Sequence, residues 1–111
     1  MKTDCVLALD AGTTSLKAVL FDAAGRSVAA SAVEYALERP APDVVELDAE
    51  AYWRAARQAI RSVLAAPAAS GARPAGVGVT SQGETLIVTD RAGVPLRPAI
   101  VWMDNRSVEE A

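Results

Sequence analysis

The sequence predicts a mixed α/β fold on three observations: closely spaced apolar runs broken by turn residues at the start, one capped amphipathic helix in the middle, and apolar runs again after it. The first run, Cys5-Val6-Leu7-Ala8-Leu9, is closed by Asp10-Ala11-Gly12, residue types that make a tight turn. A second, Lys17-Ala18-Val19-Leu20-Phe21, gives way to Asp22-Ala23-Ala24-Gly25, and a third spans Val28 to Tyr35. Turns this close together predict an antiparallel meander. Cys5 is expected to pack as a small apolar residue in the first strand. From Leu37 to Val45 the chain carries Pro40 and Pro42 and is predicted to be an extended loop.

Asp48 then offers an N-cap, and Glu50 places a negative charge in the first turn of a helix. Tyr52, Ala56, Ala59, Ile60, Val63 and Leu64 recur at helical spacing, while Arg54, Arg57, Gln58 and Arg61 fall elsewhere. Trp53 and Tyr52 are assigned to the core, and Pro67 ends the helix near Ala65-Ala66. Ala68 to Pro74 reads as a connector and Gly76-Val77-Gly78-Val79-Thr80 as a buried strand. Thr85 to Thr89 reads as another strand, and Asp90-Arg91-Ala92-Gly93 repeats the turn chemistry of residues 22 to 25, predicting two similar hairpins. After Pro95 and Pro98 the apolar run Ala99-Ile100-Val101-Trp102 follows, and Glu109 and Glu110 begin what reads as another helix.

Composition narrows the function. The 111 residues suffice for one small domain or a piece of a larger one, and 51% hydrophobic against 23% charged residues is globular composition. With aromatics at 5%, the core must come from Val, Leu, Ile and Ala. A net charge of -3 gives no electrostatic footprint for nucleic acid or an anionic membrane, so neither is an expected partner. Cys5 is the only cysteine, which excludes an internal disulfide and a thiolate zinc site, and the absence of His removes Ser-His and Cys-His nucleophilic chemistry. Asp4 and Asp10 bracket an opening too short and too charged for a signal peptide, and no run reaches membrane-spanning length, so a cytoplasmic location is expected.

The segment Asp10-Ala11-Gly12-Thr13-Thr14-Ser15-Leu16-Lys17 carries the most chemistry. A strand delivers a carboxylate, Gly12 lets backbone approach an anion, and amide and hydroxyl donors can ring phosphate oxygens. Asp10 can hold a hard cation through water, and Lys17 adds positive charge. The same residues also make an ordinary hairpin turn, and chemistry alone leaves both readings open. No Gly-x-x-x-x-Gly-Lys-Ser/Thr pattern occurs, and Gly76-Val77-Gly78 lacks the third glycine of a dinucleotide fingerprint. A second polar set, Thr80-Ser81-Gln82-Gly83-Glu84-Thr85, follows a strand at the end where α/β proteins place ligands; Gln82 and Glu84 can bind sugar or polyol hydroxyls, or form a solvated loop. In a third, Trp102-Met103-Asp104-Asn105-Arg106, Trp102 offers a flat face for a sugar ring, or packs in the core beside an Asp104–Arg106 ion pair.

Together these sets resemble the N-terminal part of the FGGY carbohydrate kinases. The resemblance runs through Asp10-x-Gly12-Thr13-Thr14-Ser15-x-Lys17, Phe21-Asp22-x-x-Gly25, Val45-Glu46-x-Asp48 with Trp53, Thr80-x-Gln82-x-Glu84, and Pro98-Ala99-Ile100-Val101-Trp102-x-Asp104-x-Arg106. It implies a ribonuclease H-like fold of the actin, sugar-kinase and heat-shock-chaperone superfamily, with residues 1–111 forming part of an N-terminal domain and a second domain absent. It implies transfer of a phosphoryl group from ATP with Mg2+ to a hydroxyl of a sugar, polyol or sugar acid. Asp10 would then lie near the metal; Gly12, Thr13, Thr14 and Ser15 would form the phosphate hairpin with Lys17 nearby; Gln82, Glu84, Trp102 and Asp104 would approach the substrate. The family's catalytic aspartate lies beyond residue 111, so the chain is expected to be inactive alone. Glycerol kinases carry an arginine where Gly83 stands, and xylulokinases tend to have Met-His after the Gln, which points to a different ketose, sugar alcohol or sugar acid. The alternatives are a non-catalytic nucleotide- or sugar-binding module of the same superfamily and a structural or oligomerisation domain; a homodimer is left open.

Overall fold

The computed structural model describes residues 1–111. The opening strands are β1 (Thr3–Ala11), β2 (Ser15–Asp22) and β3 (Ser27–Glu34), and they form the antiparallel meander expected from the turn spacing. A hairpin of β4 (Glu38–Ala41) and β5 (Val44–Leu47) follows, then α1 (Ala49–Ala65), β6 (Ala72–Ser81) and the two-residue β7 (Ala99–Ile100). The main sheet has the order β3-β2-β1-β6, and a smaller one the order β4-β5-β7. Chain that has passed through α1 returns as β6, parallel to β1, as a crossover connection requires.

Odd positions of β1 and even positions of β2 face α1. Cys5, Leu7, Leu16, Ala18 and Leu20 bury against Ala55, Ala56, Ala59 and Val63, and the alanines let the helix lie close to the sheet. A second cluster, Val45, Leu47 and Val101, packs with Tyr35, Tyr52 and Met103 around it. Asp48 caps α1 as its sequence position predicts, its Oδ1 accepting from the Glu50 amide at 3.1 Å. The two predicted turns match: Asp22 Oδ1 accepts from the Ala24 and Arg26 amides, and Asp90 Oδ1 from those of Ala92 and Val94. Gly25 and Gly93 close them at φ of 78° and 82°, in the left-handed region.

Several expectations are corrected. The stretch from Leu37 to Val45 is not a loop throughout: Ala41 pairs with Val44 around Pro42-Asp43, and the prolines are tolerated because β4 is a sheet edge. The connector ends at Gly71, since β6 already begins at Ala72. Nor is β6 buried: it lies at the margin of the main sheet beyond the reach of α1, leaving Val77 62% and Val79 72% exposed. Thr85–Thr89 makes only single bridges, Leu86 to Ile100 and Thr89 to Pro95, because Pro95 and Pro98 have no amide hydrogen with which to extend a ladder. The strand after Pro98 stops at Ile100, and the terminal helix is a single 3-10 turn, Val108–Glu110. Trp53 is not core but 58% exposed, at the margin of the helix face that covers the sheet. No helix is long and apolar enough to cross a membrane.

Removing the cap with Asp48→Ala should lower stability by about 1 kcal/mol, read from urea denaturation, with Asp48→Asn retaining most of it.

Candidate functional site

The parallel pairing of β1 with β6 puts Asp10 beside Thr80 and Ala11 beside Ser81, so both strands end at the same sheet margin. The Gln82 amide continues the ladder, donating to the Ala11 carbonyl at 2.9 Å. The Gly12–Ser15 bend and the Gln82–Thr85 loop therefore emerge side by side, where α/β sheets hold ligands.

The bend is shaped from within and behind. The Gly12 amide donates to the Ser15 carbonyl at 2.9 Å, and a Cβ on Gly12 would stand 3.0 Å from that same oxygen. Close approach, rather than a positive φ, thus accounts for the glycine. Tyr35, just past β3, donates its hydroxyl to the Gly12 and Ser15 carbonyls, and its own amide bonds the Thr14 carbonyl at 3.0 Å. Burial chiefly, with lesser contributions from Tyr52 and Asp10, raises the Tyr35 pKa to about 12, which keeps the phenol a donor at neutral pH. The Tyr35 ring meets Tyr52 edge-on, with centroids 5.1 Å apart. Tyr52 accepts from Gln82 Nε2 at 3.1 Å; burial raises its pKa while this hydrogen bond lowers it.

Gln82 lines a pocket of about 210 Å³ with Ala11, Tyr52, Ser81, Thr85 and Ile87. Its Oε1 is buried without a hydrogen-bond partner, an acceptor held ready in an otherwise satisfied site. Glu84 is exposed and adopts φ 64°, the left-handed region that a non-glycine residue enters at a cost. Trp102 ties the two loops together: Val101 before it is fully buried, the Trp102 amide donates to Thr85 Oγ1 at 3.2 Å, and its indole Nε1 donates to Thr13 Oγ1 at 2.9 Å. The hairpin, the Gln82 loop and the tryptophan are in one place.

Two sequence-predicted groups stand differently. Asp10 and its cross-strand partner Lys17 are exposed on the sheet face opposite α1, because they alternate with the buried Leu16 and Ala18 and the half-buried Leu9 and Ala11. Asp104 is turned inward with only 3% side-chain exposure; it accepts from the Val45 amide at 2.7 Å and pairs with Arg106, which also reaches Glu46 at 2.7 Å. The Arg106 guanidinium holds the Asp104 carboxyl well below the usual carboxylate range. Thr14 is exposed at the tip of the bend. Sequence reasoning missed Tyr35 as a buttress and Glu46 as the partner of both Arg97 and Arg106. Glu46 lies within a motif quoted above, whereas nothing in the local pattern distinguishes Tyr35 from a strand tyrosine.

No group of three or more acidic, Cys or His side chains gathers to hold a metal. The single exposed Asp10 carboxylate would suit a Mg²⁺ held mainly by other ligands, and does not fit a cage built by the protein alone.

This order of strands, helix and polar loops matches the N-terminal portion of solved sugar kinases, which have the actin-like ATPase fold. The sequence profile described as the FGGY family of carbohydrate kinases, N-terminal domain, matches residues 5–111, and the chain belongs to that family. It is 43% identical over 107 residues to a glycerol kinase of Rhodospirillum centenum, covering 96% of this chain and 22% of that one. A crystal structure of a xyloylose kinase from Brucella ovis superposes with a TM-score of 0.91 at 36% identity, over 96% of this chain and 22% of the other. A glycerol kinase of Plasmodium falciparum, crystallised with ADP, gives 0.84 at 26% identity over 98% and 22% of the two chains. The chain thus spans about a fifth of the length of the relatives it matches.

Tyr35→Phe should release the Ser15 carbonyl, raising hydrogen exchange at the Gly12 amide about fivefold and lowering stability by about 1 kcal/mol. Because the folded-state pKa of Asp104 is depressed, its contribution is complete above about pH 4 and is lost as pH falls below that. Asp104→Asn should therefore flatten the acid limb of a stability-against-pH curve; an unchanged slope would assign the acid sensitivity elsewhere.

Proposed function

We propose that this chain supplies the phosphate hairpin and part of the sugar site of a kinase that moves the γ-phosphoryl group of ATP to a hydroxyl of a sugar, polyol or sugar acid. The observation that carries the reading is the common margin of β1 and β6, with the Gln82 amide on the Ala11 carbonyl, which joins a phosphate-type bend to a hydroxyl-binding loop. In the transfer, the acceptor oxygen bonds the γ-phosphorus while the bond to the β,γ-bridging oxygen breaks, that oxygen keeping the electron pair. The hydroxyl proton passes to a base, assigned by the family resemblance to an aspartate outside residues 1–111.

Each group has a proposed role. Amides and hydroxyls of Thr13, Thr14 and Ser15 hold the phosphates in the bend that Gly12 closes through its own amide, with Lys17 adding positive charge from beyond the bend. Asp10 would hold Mg²⁺ through water, and the ion would supply neutralisation of charge on the phosphates. Gln82 Oε1, buried and unpartnered, accepts from a substrate hydroxyl, and the exposed Glu84 accepts from another. The half-exposed face of Trp102 takes the apolar side of the substrate. Asp104, with both oxygens engaged by Val45 and Arg106, holds the loop beneath Trp102 rather than touching substrate. A Cβ at the exposed Gly83 would meet nothing within 4 Å, so the loop next to Gln82 leaves open space there, in keeping with an acceptor larger than glycerol.

In a titration of the ¹⁵N-labelled chain, MgATP should shift the amides of residues 12–17 and a sugar or polyol acceptor those of Gln82–Thr85. Nucleotide shifts confined to the exposed Arg54, Arg57 and Arg61 face of α1 would refute the site. Incubated with MgATP and a panel of polyols, ketoses and sugar acids, the isolated chain should release no ADP above background, and phosphorylated product would overturn the placement of the base.

A further inference from the structure

We infer that Trp102 is a positioning residue for the bend: its indole N–H orients the Thr13 hydroxyl so that the hydroxyl proton is presented to a phosphate oxygen, coupling a ligand on the indole face to the phosphates. The inference rests on the reading of Gly12–Ser15 as the phosphate hairpin.

The carrying contact is the 2.9 Å bond from Trp102 Nε1 to Thr13 Oγ1, between residues 89 positions apart. An indole can only donate, whereas a hydroxyl has one proton and two lone pairs. Accepting from Trp102 occupies one lone pair and forbids Thr13 to point its own proton at that neighbour. The proton must turn elsewhere, and the incoming bond polarises it into a better donor. Thr13 is β-branched and half-buried, so χ1 is stiff and the hydroxyl rotor is the main freedom left for the indole to fix.

The tryptophan is itself held. Val101 is fully buried and its amide donates to the Val45 carbonyl at 3.0 Å, while the Trp102 amide is bonded to Thr85. The residue is nonetheless 49% exposed, so its indole N–H is committed to the bend while much of the side chain stays open to solvent. A group stacking on that open part bears on the same rigid ring that orders Thr13. Ordering of either subsite then favours the other, and the coupling must be reciprocal for binding.

The test uses the ¹⁵N-labelled chain carrying Trp53→Phe, a change at an exposed position that leaves one indole resonance. Thr13→Val should move the Trp102 indole N–H resonance upfield, and Thr13→Ser, which keeps the hydroxyl, should hold it. With MgATP as the probe, the indole resonance and the amides of residues 12–15 should titrate with one half-saturation point. Trp102→Phe, which keeps an aromatic face and removes the donor, should weaken MgATP about threefold to tenfold. An indole resonance indifferent to Thr13→Val overturns the inference. So does an unchanged half-saturation point in Trp102→Phe while residues 12–15 still respond; the phosphate reading then survives alone. If those amides ignore MgATP in every variant, the phosphate reading and this inference fall together.

Discussion

The pairing of β6 alongside β1 in the same direction is the constraint on which the site depends. Because two parallel neighbours end at one margin, Asp10-Ala11 and Thr80-Ser81 finish abreast, and the loops that leave them have nowhere to go but past each other. An antiparallel β6 would have sent Gln82 and Glu84 to the opposite end of the sheet. The helix between β5 and β6 makes the parallel arrangement attainable, and its alanine-rich face lets it lie on β2 and β3 without prising them from β1.

Around that margin rigidity is graded. Behind the bend stand Tyr35 and Tyr52, ring against ring, with the phenol of the first on two carbonyls and that of the second on Gln82. Below the Trp102 loop, Asp104, Arg106 and Glu46 form a shared ion-pair set tied to the β5 backbone through Val45. The groups left exposed in front are those with chemistry to offer: Thr14, Glu84 and the face of Trp102. Local order in this lobe is thus built by tyrosines and by an arginine–carboxylate pair, while the donors that face a ligand come from small residues and backbone. Such a division would suit the proposed phosphoryl transfer, a reaction in which positioning supplies most of the rate.

Much of this was legible in the sequence, for local reasons. Asp-x-x-Gly turns, the Asp48 cap and the stop at Pro67 act over a few residues, and each appears where its chemistry predicts. Errors arose wherever the answer depended on a distant neighbour. An apolar strand such as Gly76–Thr80 looks buried from its composition, but burial is decided by whether a helix reaches over it, and α1 does not. Pro40 and Pro42 look like loop until β5 arrives beside them, and Trp53 fits a helical apolar face that turns out to be broader than the sheet it covers. Within the site, residue types at the bend and in the two polar loops could be read directly. The contact from Tyr35 to Gly12 and the one from Trp102 to Thr13 cross 23 and 89 positions of chain, and no pattern of spacing encodes them.

The outer side of β6 has a practical consequence. It presents unpaired amides and carbonyls along a strand whose valines stand in solvent and whose two glycines, Gly76 and Gly78, add no bulk to keep a visitor off. Arg73 and Pro74 guard its first residues with a charge and a missing hydrogen, but the stretch running up to Ser81 has no such gatekeeper. A further strand could pair along that stretch and carry the ladder one step outward from β1.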